Sequence, residues 1–200
     1  MNDSKIQLSA EEMLLVQNSH WILTKHDIID KVYDLFGNLS VEMQAILEQL
    51  REVLPEAVLQ SSPKISKGEQ YERLPYVVLD YPRVFSKDNV LAIRTFFWWG
   101  NYFSCTLHLK GTFQQACYKN IQQLLTNGNC QGHYLSVAGN EFNFNVLGED
   151  YTIVEEHADH GSLHAASFIK ITYKLPLAHW NETPEKLVAA FRRFITVVTR

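Results

Sequence analysis

Apolar residues recur along this chain in two rhythms. One returns at every third or fourth position and the other at every second, and the switches between them mark the elements. Ser9 followed by Glu12 fits a capping box, and Met13, Leu14 and Val16 begin an apolar face that predicts a short helix ending near Asn18. Positions 24–27 cap a second helix, in which Ile28, Ile29, Val32, Leu35 and Phe36 repeat until Gly37 stops it. Ser40 caps a third, with Met43, Ile46, Leu47, Leu50, Val53 and Leu54 as its buried stripe and Pro55 just beyond. Further along, Gly111-Thr112 opens a helix with Cys117, Ile121, Leu124 and Leu125 on one side, ended by Asn127-Gly128. Thr183, Pro184 and Glu185 start the last, with Leu187, Val188, Phe191, Phe194, Ile195 and Val198 as its stripe.

The second rhythm is densest over residues 74–111, the richest β-branched and aromatic run in the chain. It predicts strands at 76–81, closed by Pro82, and at 90–99 and 102–110, with shorter ones near 133–137 and 141–146. Residues 167–175 alternate cleanly, placing Ile169, Ile171, Tyr173 and Leu175 inward and Lys170, Thr172 and Lys174 outward. Gly100-Asn101 reads as a two-residue hairpin turn, which sets Trp99 opposite Tyr102, Phe97 opposite Ser104 and Ile93 opposite His108. That face is either covered by a helix or left open, and if open, Phe97, Trp99 and Tyr102 form an aromatic platform beside His108 that suits a ligand groove or a dimer interface. The other face, from Phe96 and Trp98 to Leu107 and Leu109, reads as core apart from Arg94. Residues 55–73, rich in Ser, Lys and Gly, read as a loop and contain the only plausible joint, at 56–66. The expectation is one α+β domain over residues 1–200. It has a helical segment at 1–55, an antiparallel sheet of five or six strands within 64–200, and packing helices near 112–127 and 184–199.

Composition narrows the function classes. A charged fraction of 20% with 46% hydrophobic residues suits a folded domain, and no apolar run approaches the roughly 18 residues of a membrane helix. The N-terminus lacks the basic start and apolar centre of a signal peptide. Cys105, Cys117 and Cys130 are an odd number at wide spacings, so they read as reduced core thiols, and the expected compartment is the cytoplasm. Residues 1–60 carry four basic and ten acidic side chains, whereas 61–127 carry eight basic and four acidic, a polarity that could be satisfied within the molecule or across a homodimer. Three helices before a hairpin suggest a winged helix. The third helix, however, offers Glu42, Glu48 and Glu52 against Arg51 alone, and a groove-reading helix must meet phosphates with Lys or Arg. Neither nucleic acid nor a membrane is expected as a partner.

Candidate chemistry is sparse. Arg94 stands mid-strand among core positions. A buried guanidinium needs acceptors, so it is either paired structurally with Asp80 or anchors a small anionic ligand. Around it, Tyr81, Arg83, Trp99, Tyr102, His108 and Lys67 complete the candidate ligand-binding set. His157, His160 and His164 have spacings that zinc sites use, but the segment is not HExxH and Gly161 weakens a helix. No nucleophile elbow, phosphate loop or cofactor fingerprint is present, and no cofactor is expected.

The run KGEQYERLPYVVLDYPR, followed by an aromatic hairpin and an amphipathic helix, resembles the layout of uncharacterised bacterial proteins over about residues 64–127. The resemblance implies a bacterial cytosolic origin and carries no catalytic residue across. The leading expectation is a non-catalytic ligand-binding or protein-interaction domain, a homodimer using the aromatic hairpin and a basic loop at 64–73. The alternative is an enzyme acting on a small anionic substrate, with Arg94 as anchor and His108 or the three loop histidines as acid–base groups or metal ligands.

Overall fold

The aromatic and β-branched stretch lies at the centre of an antiparallel sheet in the computed structural model, which describes residues 6–154, 163 and 165–199. Four strands follow one another: β1 (Lys64–Tyr71), β2 (Leu74–Phe85), β3 (Val90–Trp98) and β4 (Tyr102–Lys110). Three more complete the sheet, β5 (Tyr134–Ser136), β6 (Thr152–Ile153) and β7 (Ile169–Pro176), in the order β1-β2-β3-β4-β7-β5-β6. The fold is therefore α+β, with seven antiparallel strands among the described residues rather than five or six. The difference has three sources: β1 was expected to be loop, β6 is only two residues long, and 141–146 forms turns instead of a strand.

The helices are α1 (Ala10–Gln17), α2 (Ser19–Gln49), α3 (Glu56–Leu59), α4 (Thr112–Thr126) and α5 (Thr183–Val197). Ser9 makes the expected capping box with Glu12. The expected second and third helices are one. In α2 the buried positions Ile29, Val32, Phe36, Leu39, Met43 and Ile46 step by three and four straight through Gly37. That unbroken stripe, buried against the sheet, outweighs the modest intrinsic cost of one helical glycine.

One core cluster joins the stripes of α2, α4 and α5 to a single face of the sheet, built from Val77, Leu79, Ile93, Phe97, Phe103, Leu107, Ile171 and their neighbours. The hairpin register decides which side chains those are. Trp98 pairs with Tyr102, so the loop has three residues, Trp99, Gly100 and Asn101, and not two. Gly100 takes φ 73°, and Asn101 N–H donates to the Trp98 carbonyl at 3.0 Å. Phe97 consequently faces Phe103, with ring centroids 5.1 Å apart, and both point to the helices. Ala92, Arg94, Phe96 and Trp98 share the opposite face with Tyr102, Ser104, Thr106 and His108. The aromatic platform expected beside His108 is thus divided between the two faces.

β1 escaped the alternation rule because it is an edge strand, half exposed and carrying Lys64 and Lys67, a common way of blunting an open edge. It joins β2 through Glu72-Arg73, both with positive φ, a two-residue turn without the usual Asn-Gly signature. Pro82 does not end β2. The strand shifts register between Asp80 and Arg83 and pairs again as far as Phe85, so the missing proline N–H falls at an irregularity.

Gly37→Ala should stabilise the fold by about 0.5–1 kcal/mol, because the position is helical and a Cβ there would meet nothing within 4 Å. Urea unfolding midpoints of the two proteins measure it, and an unchanged or lower midpoint would contradict the continuous helix.

Candidate functional site

The alternation of β3, β4 and β7 places polar residues under cover. Arg94, Thr106 and Thr172 are register neighbours, as are His108 and Lys170, all on the face away from the helices. A strap over residues 139–151 crosses this face and inserts Phe144, Val146 and Tyr151 against Val78, Phe96, Trp98 and Tyr102. Two tyrosines from the sheet side pin it. Tyr102 O–H donates to the Phe144 carbonyl and accepts from Val146 N–H, both at 3.0 Å. Tyr71 O–H donates to Asn143 Oδ1 at 3.0 Å and accepts from Phe144 N–H at 2.7 Å.

Beneath the strap the charges are matched. Arg94 holds Asp80 with two parallel bonds, Nε to Oδ1 at 2.7 Å and Nη2 to Oδ2 at 2.8 Å, the partner foreseen from the sequence. Its guanidinium lies 4.4 Å from the centroid of Phe144. Lys170, expected to point outward, is fully buried instead. Its ammonium donates to the carbonyls of Glu141 (3.2 Å) and Asn143, and sits 4.1 Å from the Phe144 ring centroid. Burial first, and then repulsion from Arg94, bring the Lys170 pKa down to about 7. His108 is 3% exposed, and its Nε2 stops 3.8 Å from Glu141 Oε2, neither atom having a hydrogen-bond partner among the described residues. Glu141 satisfies its other oxygen with Lys110 Nζ at 3.0 Å. Burial, helped by repulsion from Lys170, Arg94 and Lys110, lowers the His108 pKa to about 3, so this ring is neutral at physiological pH.

The candidate residues therefore separate. Arg94, Tyr102 and His108 come together on the strapped face. Tyr81 is buried among the core residues on the helix side, and Trp99 packs against that same cluster. Lys67 lies over the ring of Tyr33 in α2, 5.2 Å from its centroid. Arg83 is exposed at the far end of β2, its Nε donating to the Ser62 carbonyl at 2.9 Å. Arg94, Tyr81 and His108 do not meet in one pocket. The three loop histidines at 157, 160 and 164 lie outside the described residues. Among the described residues no three His, Cys, Asp or Glu side chains are placed to hold a metal ion.

A second feature lies at the N-terminal helices. α1 buries none of its residues. Asn18 (φ −90°, ψ 80°) separates it from α2: its N–H donates to the Leu15 carbonyl, and its side chain accepts from Trp21 N–H at 3.1 Å. This break makes an arm of residues 6–23, with Leu14 70% and Val16 68% exposed. Between the two helices lies a groove of about 510 Å³ walled by Leu15, Val16, Trp21 and Ile22, with Glu12, Asn18 and Ser19. Asn18 and Trp21 also wall an adjoining recess of about 310 Å³ that reaches Ile28 and Trp99. The signal for the arm was present in the sequence: Met13, Leu14, Leu15 and Val16 are consecutive, too many for one face of so short a helix. The signal for the strapped face was weaker, being only the apolar Phe142, Phe144 and Val146 in an otherwise polar, Asn-rich segment.

Comparison with family models, with curated proteins and with solved structures returned no match.

The buried imidazole makes stability depend on pH. Its folded pKa of about 3 lies below the ordinary 6.5, so the unfolded chain takes up the proton first. The contribution is complete above about pH 6.5 and is lost as pH falls towards 3. Lys170 adds a second rise between about pH 7 and its ordinary 10.5. The stability difference between the wild type and His108→Gln should narrow steadily from pH 7 to pH 4 in urea unfolding. A difference independent of pH would show that His108 is not held neutral.

Proposed function

We propose that this chain is a non-catalytic, cytosolic protein-interaction domain whose contact surface is the N-terminal arm. The observation that carries the reading is an α-helix with no buried residue, lined with large apolar side chains. Isolated exposed apolar residues are ordinary on a protein surface, but a contiguous patch of this kind marks a place where another surface belongs. An eight-residue helix is also too short to be stable through backbone bonds alone and gains its order from packing.

The surfaces expected to serve this role are engaged elsewhere. Trp98 and Tyr102 are buried beneath the strap, and Phe97 beneath the helices. The basic segment at 64–73 is an edge strand and its turn, with Lys67 laid on Tyr33 and Lys25 of α2 paired with Glu69. The rival reading, an enzyme anchoring a small anion on Arg94, finds both arms of that guanidinium's fork filled by Asp80. The three unpaired cysteines are all buried, in keeping with a reducing compartment. No helix among the described residues is long and apolar enough to cross a membrane.

A photo-reactive side chain in place of Leu14, in the full chain inside cells, is expected to give covalent protein adducts that the same group at exposed Lys87 does not give. Replacing Leu14 and Leu15 together by Glu should abolish those contacts while shifting the unfolding free energy by no more than about 0.5 kcal/mol, as for a surface change. Absence of adducts at position 14, or a loss of stability of the size expected for a core residue, would overturn the reading.

A further inference from the structure

We propose that the Glu141 side chain is a built-in occupant of an anion site formed by His108, Lys110 and Lys170, and that a small carboxylate exchanges with it. The site is separate from the arm and takes no part in the reading of the arm as a contact surface.

Charge on the strapped face is uneven. Strands β2, β3, β4 and β7 carry one carboxylate, Asp80, and Arg94 holds both of its oxygens. Lys110 and Lys170 therefore have no acidic partner on any of these strands. Lys170 turns to the carbonyls of Glu141 and Asn143, and Lys110 to the carboxylate of Glu141. Of the other strap carboxylates, Asp150 accepts from Asn143 Nδ2 at 2.7 Å and Glu149 is exposed. Burial and, beside it, the positive field of Lys170, Arg94 and Lys110 keep the His108 ring from taking a proton. That same field attracts an anion.

Glu141 fills the position imperfectly. One carboxylate oxygen accepts from Lys110 Nζ at 3.0 Å. The other is buried and stops 3.8 Å from His108 Nε2, beyond hydrogen-bond range, and neither of these two atoms has a partner among the described residues. The strap holds the Glu141 backbone in place, through Lys170 on its carbonyl and through Tyr71 and Tyr102 on the residues that follow. A free carboxylate has no such tether. With one oxygen on Lys110 it brings the other to His108, whose neutral ring donates when its proton is on Nε2.

Access needs one side chain to turn. The side chains of Glu141 and Lys110 are 21% and 25% exposed, so this pair stands at the rim with buried His108 behind it. Rotating the Glu141 side chain into solvent leaves the strap pinned and vacates a space the size of one carboxylate. That space sets the ligand class: a planar, singly charged carboxylate head, with any remainder of the molecule outside.

The test titrates the full chain with sodium formate, against sodium chloride at matched ionic strength, and reads the melting temperature and the 15N shifts of the His108 ring. Formate is expected to raise the melting temperature saturably where chloride does not, and to move the His108 Nε2 resonance. Glu141→Ala should bind formate about tenfold more tightly, because removing the internal competitor raises the binding-competent fraction. Glu141→Gln makes the same comparison, in the same direction, if the alanine variant does not fold. His108→Phe should lose the response, and the ring resonance keeps the assignment testable if that variant does not fold. No saturable response in the wild type, an unmoved Nε2 resonance, or a response that survives His108→Phe overturns the proposal. Inorganic phosphate raising the melting temperature more than formate at equal concentration overturns the carboxylate class.

Discussion

The pairing of Trp98 with Tyr102 sets the rest of the structure. A three-residue loop at the tip aligns Leu91, Ile93 and Phe97 with Leu109, Leu107 and Phe103, so these six side chains fall on the face that meets α2, α4 and α5. A loop one residue shorter would turn one strand over relative to the other, exposing His108 and Ser104 to the helices and Phe103 to the strap. A side-chain period of two makes this an all-or-none matter. The hairpin lies at the centre of the sheet, and both of its outer neighbours, β2 and β7, take their registers from it.

The second face follows from that choice. Once Arg94, His108 and Lys170 point away from the helices, they need cover and counter-charge, which come from one polar segment of the chain. The strap brings Glu141 to Lys110, backbone carbonyls to Lys170, and the ring of Phe144 to both Lys170 and Arg94. A buried cation without such partners costs several kcal/mol, so strap and cations specify each other. The cluster looks like catalytic equipment by residue type. Arg94, Asp80, Lys110 and Lys170 are spent on partners, whereas His108 Nε2, Glu141 Oε2, Ser104 Oγ and Trp98 Nε1 are buried with no hydrogen-bond partner among the described residues.

The arm differs in kind. The main core begins at Ile29 of α2, whereas residues 6–23 contribute no buried residue to it. Trp98 is buried beneath the strap, whereas Trp21 stands half exposed at the wall of a groove. That contrast within one chain is what supports the proposed reading of the arm as a contact surface.

Much of this was legible in the order of residues. The helix over 112–126, the final helix with its proline start, the capping box at Ser9, the central strands and the pairing of Arg94 with Asp80 all follow from local periodicity, capping chemistry and the cost of an unpaired guanidinium. These are decided within a few residues, or by one energetic demand too large to leave unmet. What local pattern could not decide were the matters settled by distant partners: the hairpin register, the helix running through Gly37, the edge strand β1, and the burial of Lys170. Each depends on a surface contributed from elsewhere in the chain, whether facing helices, a neighbouring strand or the strap, and alternation along a strand names two faces without saying what will cover either.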